Sequence, residues 1–449
     1  MKKLILILAL ALLLCSCVDG ATKIGLDRLN WSQTIPIGEN ITLDGGFVSG
    51  MSTDQYVIPE TFGAVGNDAT DDTTALQDWI NYACANSLVA LIPQKTYTFS
   101  SELHIPGGAV IRGLSDRRKT PSESRLHYTG SDVALNLSDT EGGDVYIITL
   151  EDFTLVGNGT IPSGGVGTGI LTVLGSEFKF RDMEISLFET GIYGDTLTIS
   201  ELNGIAFAHN EVGIFLKSSS QINIYNCNLF DHDTAIQFAI TAADINIIYN
   251  YFEVFNTALL VDGTDEPTTW SASRVTGNRF HNPLAYFTAP LPTDIRIPWN
   301  GHILKVIDGE SSFTTQCYSV SFTGNSFLVY KTDELIYFDA NGNVNSLMNI
   351  ELNQNFCGYA NTSIVNVVAG TGGCNWVVND IPGDIPSTKV SGVGWISGYD
   401  KKWGYSQMLG TWTLPTQLST TTGAIWYDTF EKKIKFYNGA AIETVSSSA

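Results

Sequence analysis

Six residues that recur at or beside one spacing are the candidates to carry the chemistry of the chain. Glu189, Glu211 and Asp233 stand two residues before successive Gly or Ala turns, 22 residues apart. His209 and Asp231 stand four residues before two of those turns, and His232 stands three before the last. If 22 residues wind once around a solenoid, all six gather on one outer edge of three coils. Carboxylates stacked about 5 Å apart repel, so water screens them, one keeps its proton, or a cation sits among them. That setting suits acid/base work on glycosidic bonds. Hydrolysis needs two carboxyls about 5–5.5 Å apart for retention, or about 6.5–9.5 Å apart for inversion. Glu211, Asp231 and Asp233 are the candidate catalytic acids, with Glu189 in support. His209 and His232 are candidates to tune a neighbouring proton or bind sugar hydroxyls. The competing reading is a solvated turn whose acids keep the chain soluble. Elimination is the other route: a base removes the proton beside a uronate carboxylate, which Ca2+ or a cationic side chain neutralises. The stacked acids are candidate oxygen ligands for Ca2+, and Arg274 and Arg279 lie on the following coil. Hydrolysis is the preferred expectation.

The elements that must position these residues are written in the repeat. Gly169-Ile170, Gly191-Ile192, Gly213-Ile214, Ala235-Ile236 and Ala258-Leu259 follow at steps of 22, 22, 22 and 23 residues. Alternating runs such as Ile222-Asn223-Ile224-Tyr225 lie between them. A second marker is Asn-x-Phe, at Asn228/Phe230, Asn250/Phe252, Asn278/Phe280 and Asn325/Phe327. A period near 22 with several short strands per repeat predicts a right-handed parallel β-helix, an all-β solenoid whose coils stack about 4.8 Å apart. Inward Ile, Leu and Phe form its core, and recurrent Asn side chains ladder in a turn, satisfying buried backbone groups.

Two excursions break the period, at 262–272 and 282–317. Loops on a rigid scaffold commonly carry binding, and Trp270, Tyr286 and Trp299 have flat faces that suit pyranose rings. Packing of these aromatics onto the solenoid is the competing reading. Asp265, Glu266, Asp294, Arg296 and His302 lie in the same segments.

Composition narrows the partners. The formal net charge is −22, which excludes nucleic acid, since phosphate binding needs a basic face. A polyanionic glycan is repelled too, unless a local cation intervenes. The start, Met1-Lys2-Lys3 followed by the apolar run Leu4 to Leu14, reads as an export signal too short to span a bilayer. Leu14-Cys15-Ser16-Cys17 is similar to a bacterial lipobox and makes Cys17 the candidate lipidation site. No later run is long and apolar enough to span a membrane. The five remaining cysteines are scattered and show neither a disulfide framework nor zinc-ligand spacing. Cys227 reads as a small buried hydrophobe.

The stretch from Phe62-Gly63-Ala64-Val65-Gly66-Asn67-Asp68 through Asp71-Asp72-Thr73 to Ala75-Leu76-Gln77-Asp78-Trp79-Ile80 reads as a strand, a Gly turn, an Asp/Thr cap and an amphipathic helix. It resembles the opening of the pectate-lyase-superfamily domain shared by polysaccharide-active enzymes and phage tailspikes. The motif-grade match covers residues 58–114, and the repeat-level match about 56–380. The resemblance implies that Asp71, Asp72 and Thr73 are structural parts of an N-terminal capping helix, and that the substrate is a polysaccharide. Polygalacturonase-type hydrolases of that fold carry Asn-x-Asp, Asp-Asp, His-Gly and Arg-x-Lys in successive late coils. This chain has no His-Gly, and its Arg117-Arg118-Lys119 falls in an early loop, so that activity is not assigned.

Residues 381–410 lose the repeat and read as a linker. Ile425-Trp426-Tyr427-Asp428 and Lys433-Ile434-Lys435-Phe436-Tyr437 then read as a hairpin within 411–449. It resembles short C-terminal modules of phage tail fibres. A lone hairpin is marginal, so packing against copies of itself predicts a homotrimer. The expected organisation is signal and lipobox 1–17, arm 18–55, β-helix 56–380, linker 381–410 and terminal module 411–449. The expected protein is an exported surface or periplasmic lipoprotein, or a secreted one, that degrades a polysaccharide. The alternatives are a phage virion tail protein and a non-catalytic glycan-binding, tailspike-like adhesin or structural surface protein.

Overall fold

The computed structural model describes residues 56–114, 124–139, 142–160, 165–282, 301–308 and 315–329, and beyond them chiefly strands as far as Thr444. Cys17, the arm 18–55, Tyr286, Asp294, Arg296 and Trp299 lie outside the described residues.

Each coil turns through three parallel strands. The coil at 212–230 is typical: 212–217 form the first face, 219–225 the second and 228–230 the third. Every strand pairs in register with its counterparts one coil away, so Val212 faces Thr190 and Thr234, and Asn223 faces Glu201 and Asn246. Side chains alternate in and out, because the strand period is two. Ile170, Ile192, Ile214, Ile236, Leu259 and Leu304 therefore stack in one inward column, each fully buried. Phe252 and Phe280 stack with ring centroids 4.6 Å apart on the inner side of the third face. The winding is that of a right-handed parallel β-helix, the hand expected for parallel crossovers.

Corners are turned by single residues in left-handed backbone. Leu187, His209, Asp231 and Val254 take φ of 65, 57, 57 and 58° at equivalent positions of four coils. Asn and Asp tolerate this region and β-branched residues resist it. At Val254 the conformation is imposed by the stack of coils.

The asparagine ladder forms, shifted by one member from the expected set. The Asn250 amide oxygen accepts from Cys227 N at 2.8 Å, Asn278 serves Asn250 N at 2.8 Å, and Asn325 serves Asn278 N at 2.9 Å. Each side-chain NH2 donates to a carbonyl one coil back, on Ile224, Ile247 and Val275. Asn228 is not a rung: it pairs with Tyr251, and Cys227 holds the inward place. Cys227 is buried, as its strand pattern implied.

At the N-terminal end, helix Thr73–Ala85 buries Leu76, Trp79, Ile80 and Ala83, and Trp79 Nε1 donates to Val57 O at 2.8 Å. Asp72 stands at the cap position, yet its carboxylate does not cap the helix. It accepts from Val65 N and Gly66 N at 2.7 and 3.1 Å, tying down the preceding glycine turn. Asp71 instead accepts from Thr73 N at 3.0 Å. Towards the other end the parallel ladder reaches further than the repeat did: Trp395–Tyr399 pairs with Cys374–Asn379, inside the stretch read as linker. Ile425–Asp428, Lys433–Tyr437 and Ile442–Thr444 form an antiparallel sheet of three strands, one more than the expected hairpin.

Candidate functional site

The 22-residue ruler holds at the corner between the third and first faces. Val212 N donates to Glu189 O at 2.8 Å, and Thr234 N donates to Glu211 O at 2.9 Å. These bonds lock Glu189, Glu211 and Asp233 into one column, and Asn256 takes the same place on the next coil, its amide donating to Asp233 Oδ1 at 3.1 Å. Glu189 and Asp233 are exposed and Glu211 half-buried. Among the described residues no three His, Cys, Asp or Glu side chains converge to hold a metal ion.

Asp231 and His209 sit beside this column and differ from it. Asp231 is fully buried, and its Oδ2 accepts from His209 Nδ1 at 2.8 Å across adjacent coils. A carboxylate that accepts from Nδ1–H fixes the ring's tautomer and orientation. The His209 side chain keeps 19% of its surface exposed and meets the Phe230 ring edge to face at 5.3 Å. Asp231 therefore positions His209 and is not itself open to a substrate.

Three further expected binding residues lie elsewhere. His232 is buried, with Nδ1 2.9 Å from Asn210 O and Nε2 3.2 Å from Phe207 O. It continues the inward corner position held one coil earlier by Asn210, so it fastens coils and meets no ligand. Trp270 is fully buried on strand Thr269–Ser271, stacked on Phe238 at 4.8 Å and met edge-on by Phe322. The excursion read at 262–272 shrinks accordingly, because 269–271 pair back into the second face. Likewise His302–Asp308 pairs with 257–263 on the first face, and His302 is buried. Arg274 is exposed but belongs to the second face, between Asn246 and Ser321, away from the acidic corner.

The third face carries a polar group that sequence reading missed apart from Arg279. Tyr251 pairs with Arg279 and Glu253 with His281 across adjacent coils. Tyr251 Oη lies 2.9 Å from His281 Nδ1, Glu253 Oε1 lies 3.6 Å from the same nitrogen, and the Arg279 guanidinium sits 5.3 Å from the centre of the Tyr251 ring. Burial, with Arg279 adding to it, holds the His281 pKa below its usual value, against the pull of Glu253. The signal was present in the Asn-x-Phe marker. With Asn and Phe inward, the residue between them and the residue after Phe must point out, which gives Tyr251, Glu253, Arg279 and His281. Phe230 pairs with Glu253 and touches His209, so this group is continuous with the acidic corner.

No family model matches the sequence. A curated capsule-specific depolymerase of Klebsiella phage K64-1 is 26% identical over 177 residues. That match takes in 39% of this chain, and the chain covers only 18% of the relative's length. Among solved structures, the chain is similar to a mutant tailspike protein of E. coli bacteriophage HK620 in complex with a pentasaccharide, at TM-score 0.56 and 10% identity, over 78% of this chain and 66% of that one. It is also similar to the catalytic domain of Agl-KA, at TM-score 0.53 and 12% identity, over 77% and 64%. The chain is a right-handed parallel β-helix protein of the architecture found in tailspikes.

Proposed function

We propose that the protein is a polysaccharide depolymerase that hydrolyses glycosidic bonds at the corner between the third and first faces. The observation that carries this reading is the register-locked column of Glu211 and Asp233 beside the Asp231–His209 pair. Adjacent coils stand about 4.8 Å apart, the scale on which two carboxyls can share acid and nucleophile roles across one bond. One of Glu211 and Asp233 donates a proton to the leaving oxygen, and the other attacks the anomeric carbon to form a glycosyl intermediate that water then hydrolyses. Glu189 extends the column as a contact for sugar hydroxyls. His209, held by Asp231, stands at the edge of the same surface to bind a hydroxyl or relay a proton. The resemblance to a phage capsule depolymerase supports a capsular or other surface polysaccharide as substrate. It equally supports an exported or tail-borne protein. No helix among the described residues is long and apolar enough to cross a membrane.

The test is turnover of a panel of bacterial surface polysaccharides by the full chain, read as new reducing ends and as ultraviolet absorbance of unsaturated products. Reducing ends without absorbance are expected, lost by about a hundredfold or more in Glu211→Gln and in Asp233→Asn. Full activity in both variants would remove the corner from consideration. Absorbance together with reducing ends would replace hydrolysis with elimination.

A further inference from the structure

A protein of net charge −22 repels an acidic polymer unless it offers a cation where the polymer must lie. Several outward basic side chains on this solenoid are spent on its own acids. Arg112 pairs with Glu151, Lys95 with Glu60, and Lys217 with Asp195. Arg181 grips Glu201 through two bonds, of 3.1 and 2.9 Å. Arg279 differs. It is exposed, and among the described residues it forms no ion pair. Its guanidinium is instead held over the Tyr251 ring, which leaves the planar donor fork available for a bidentate acceptor.

Around that fork the surface is arranged for a sugar. Tyr251 and His281 are linked through Oη and Nδ1, and burial holds the His281 pKa below its usual value, disfavouring the cation. With Nδ1 engaged by Tyr251, Nε2 of an uncharged imidazole remains to meet one hydroxyl and does not compete with Arg279 for an anion. Glu253 lies on the His281 side, two residues along the strand from the Tyr251–Arg279 pair, where it can accept from a hydroxyl while standing away from the anion. Phe230 and His209 then lead to the acidic corner.

We propose that Arg279, braced by Tyr251 and flanked by His281 and Glu253, is a subsite for a carboxylate-bearing sugar unit of the polymer. This rests on the proposed function, and it narrows the substrate class to acidic glycans. The carboxylate takes the guanidinium fork, the ring hydroxyls meet His281 and Glu253, and the chain continues past Phe230 to Glu211 and Asp233.

The experiment compares uronate-containing capsular polysaccharides with their carboxyl-reduced counterparts, measuring both turnover and binding by the full-length protein. The wild type is expected to favour the acidic form by about tenfold or more. Arg279→Ala should erase that preference and leave affinity for the reduced polymer within about twofold, with an unchanged melting temperature because Arg279 is exposed. Glu253→Gln should tighten the acidic form by removing a like charge. Equal handling of acidic and reduced polymers, or a preference that survives in Arg279→Ala, overturns the subsite while leaving a depolymerase of neutral glycans intact. Binding of acidic polymer through Arg279 without turnover keeps the subsite and overturns the hydrolytic reading. Absence of both binding and turnover across the panel overturns both.

Discussion

Asp231 and His209 meet across two neighbouring coils at 2.8 Å, with both residues at φ 57° and the carboxylate fully buried beneath a partly exposed imidazole. Burying a carboxylate is costly unless its lone pairs are used, so the pair is a device for holding one ring in one orientation. Asn tolerates left-handed backbone as Asp does, which makes Asp231→Asn a clean perturbation of the electrostatics. The variant is expected to fold with a similar melting temperature and to lose turnover by about ten- to a hundredfold, as for a misoriented acid/base group. Asp231→Ala should lose stability as well. Circular dichroism melts beside turnover of the responsive polysaccharide decide it: an Asn variant with wild-type turnover removes His209 from the reaction.

The asparagine ladder makes a sharper statement about stability. Asn278 satisfies Asn250 N and Ile247 O and is itself joined to Asn325. Asn278→Ala strands a buried donor and a buried acceptor, each worth about 1–3 kcal/mol. Denaturant unfolding should show a loss of about 3 kcal/mol or more. Asn228→Ala, outside the ladder, should lose much less. Equal losses at the two positions would mean that the ladder bonds contribute little.

The glycine at the repeat marker is set by backbone approach, not by turning. A Cβ at Gly191 would stand 2.5 Å from the Gly213 carbonyl oxygen, and one at Gly213 would stand 2.6 Å from Ala235 O. Ala235 and Ala258 occupy the same column further along, so the coils open enough there to admit a methyl group. Gly191→Ala should therefore cost about 1–3 kcal/mol, and Ala235→Gly distinctly less than that. Matched unfolding curves for the two variants test the gradient.

What the sequence disclosed and what it hid follow from the same geometry. A fixed period states which residues share a column, so the stacking of Glu189, Glu211 and Asp233 and the inward Ile column were legible in spacing alone. Whether a column points in or out depends on the corner's backbone, which spacing does not encode. His232 was therefore grouped with exposed acids although its corner position is the inward one. The long count to the next marker places Trp270 in a loop, whereas the short connection 264–268 absorbs the surplus and returns it to the core. Alternation about Phe252 and Phe280 places Tyr251, Glu253 and His281 outside, although the 22-residue spacing of the acidic corner does not mark them.

The buried His232 gives the last prediction, and it concerns acid. Two carbonyl oxygens flank its ring nitrogens, and each favours a proton, as does the nearby Asp231 carboxylate, yet burial outweighs them and brings the pKa down to about 4 from 6.5. The neutral ring then donates to one carbonyl only. A histidine whose folded pKa is lowered takes up its proton more readily when unfolded. Its stabilising contribution is whole above about pH 6.5 and is lost as pH falls towards 4. The shift corresponds to roughly 3 kcal/mol. Asn210, one coil earlier at the equivalent corner, shows that an amide does this work without a titrating group, since its NH2 donates to Ile185 O at 3.0 Å and its oxygen accepts from Phe188 N at 2.9 Å. His232→Asn is therefore expected to fold and to hold its stability better between pH 6.5 and 4 than the wild type does. Urea midpoints measured across that interval for the two proteins read the difference directly. Parallel curves would show that His232 enters the folded state already carrying its second proton, with Asp231 as its counter-ion.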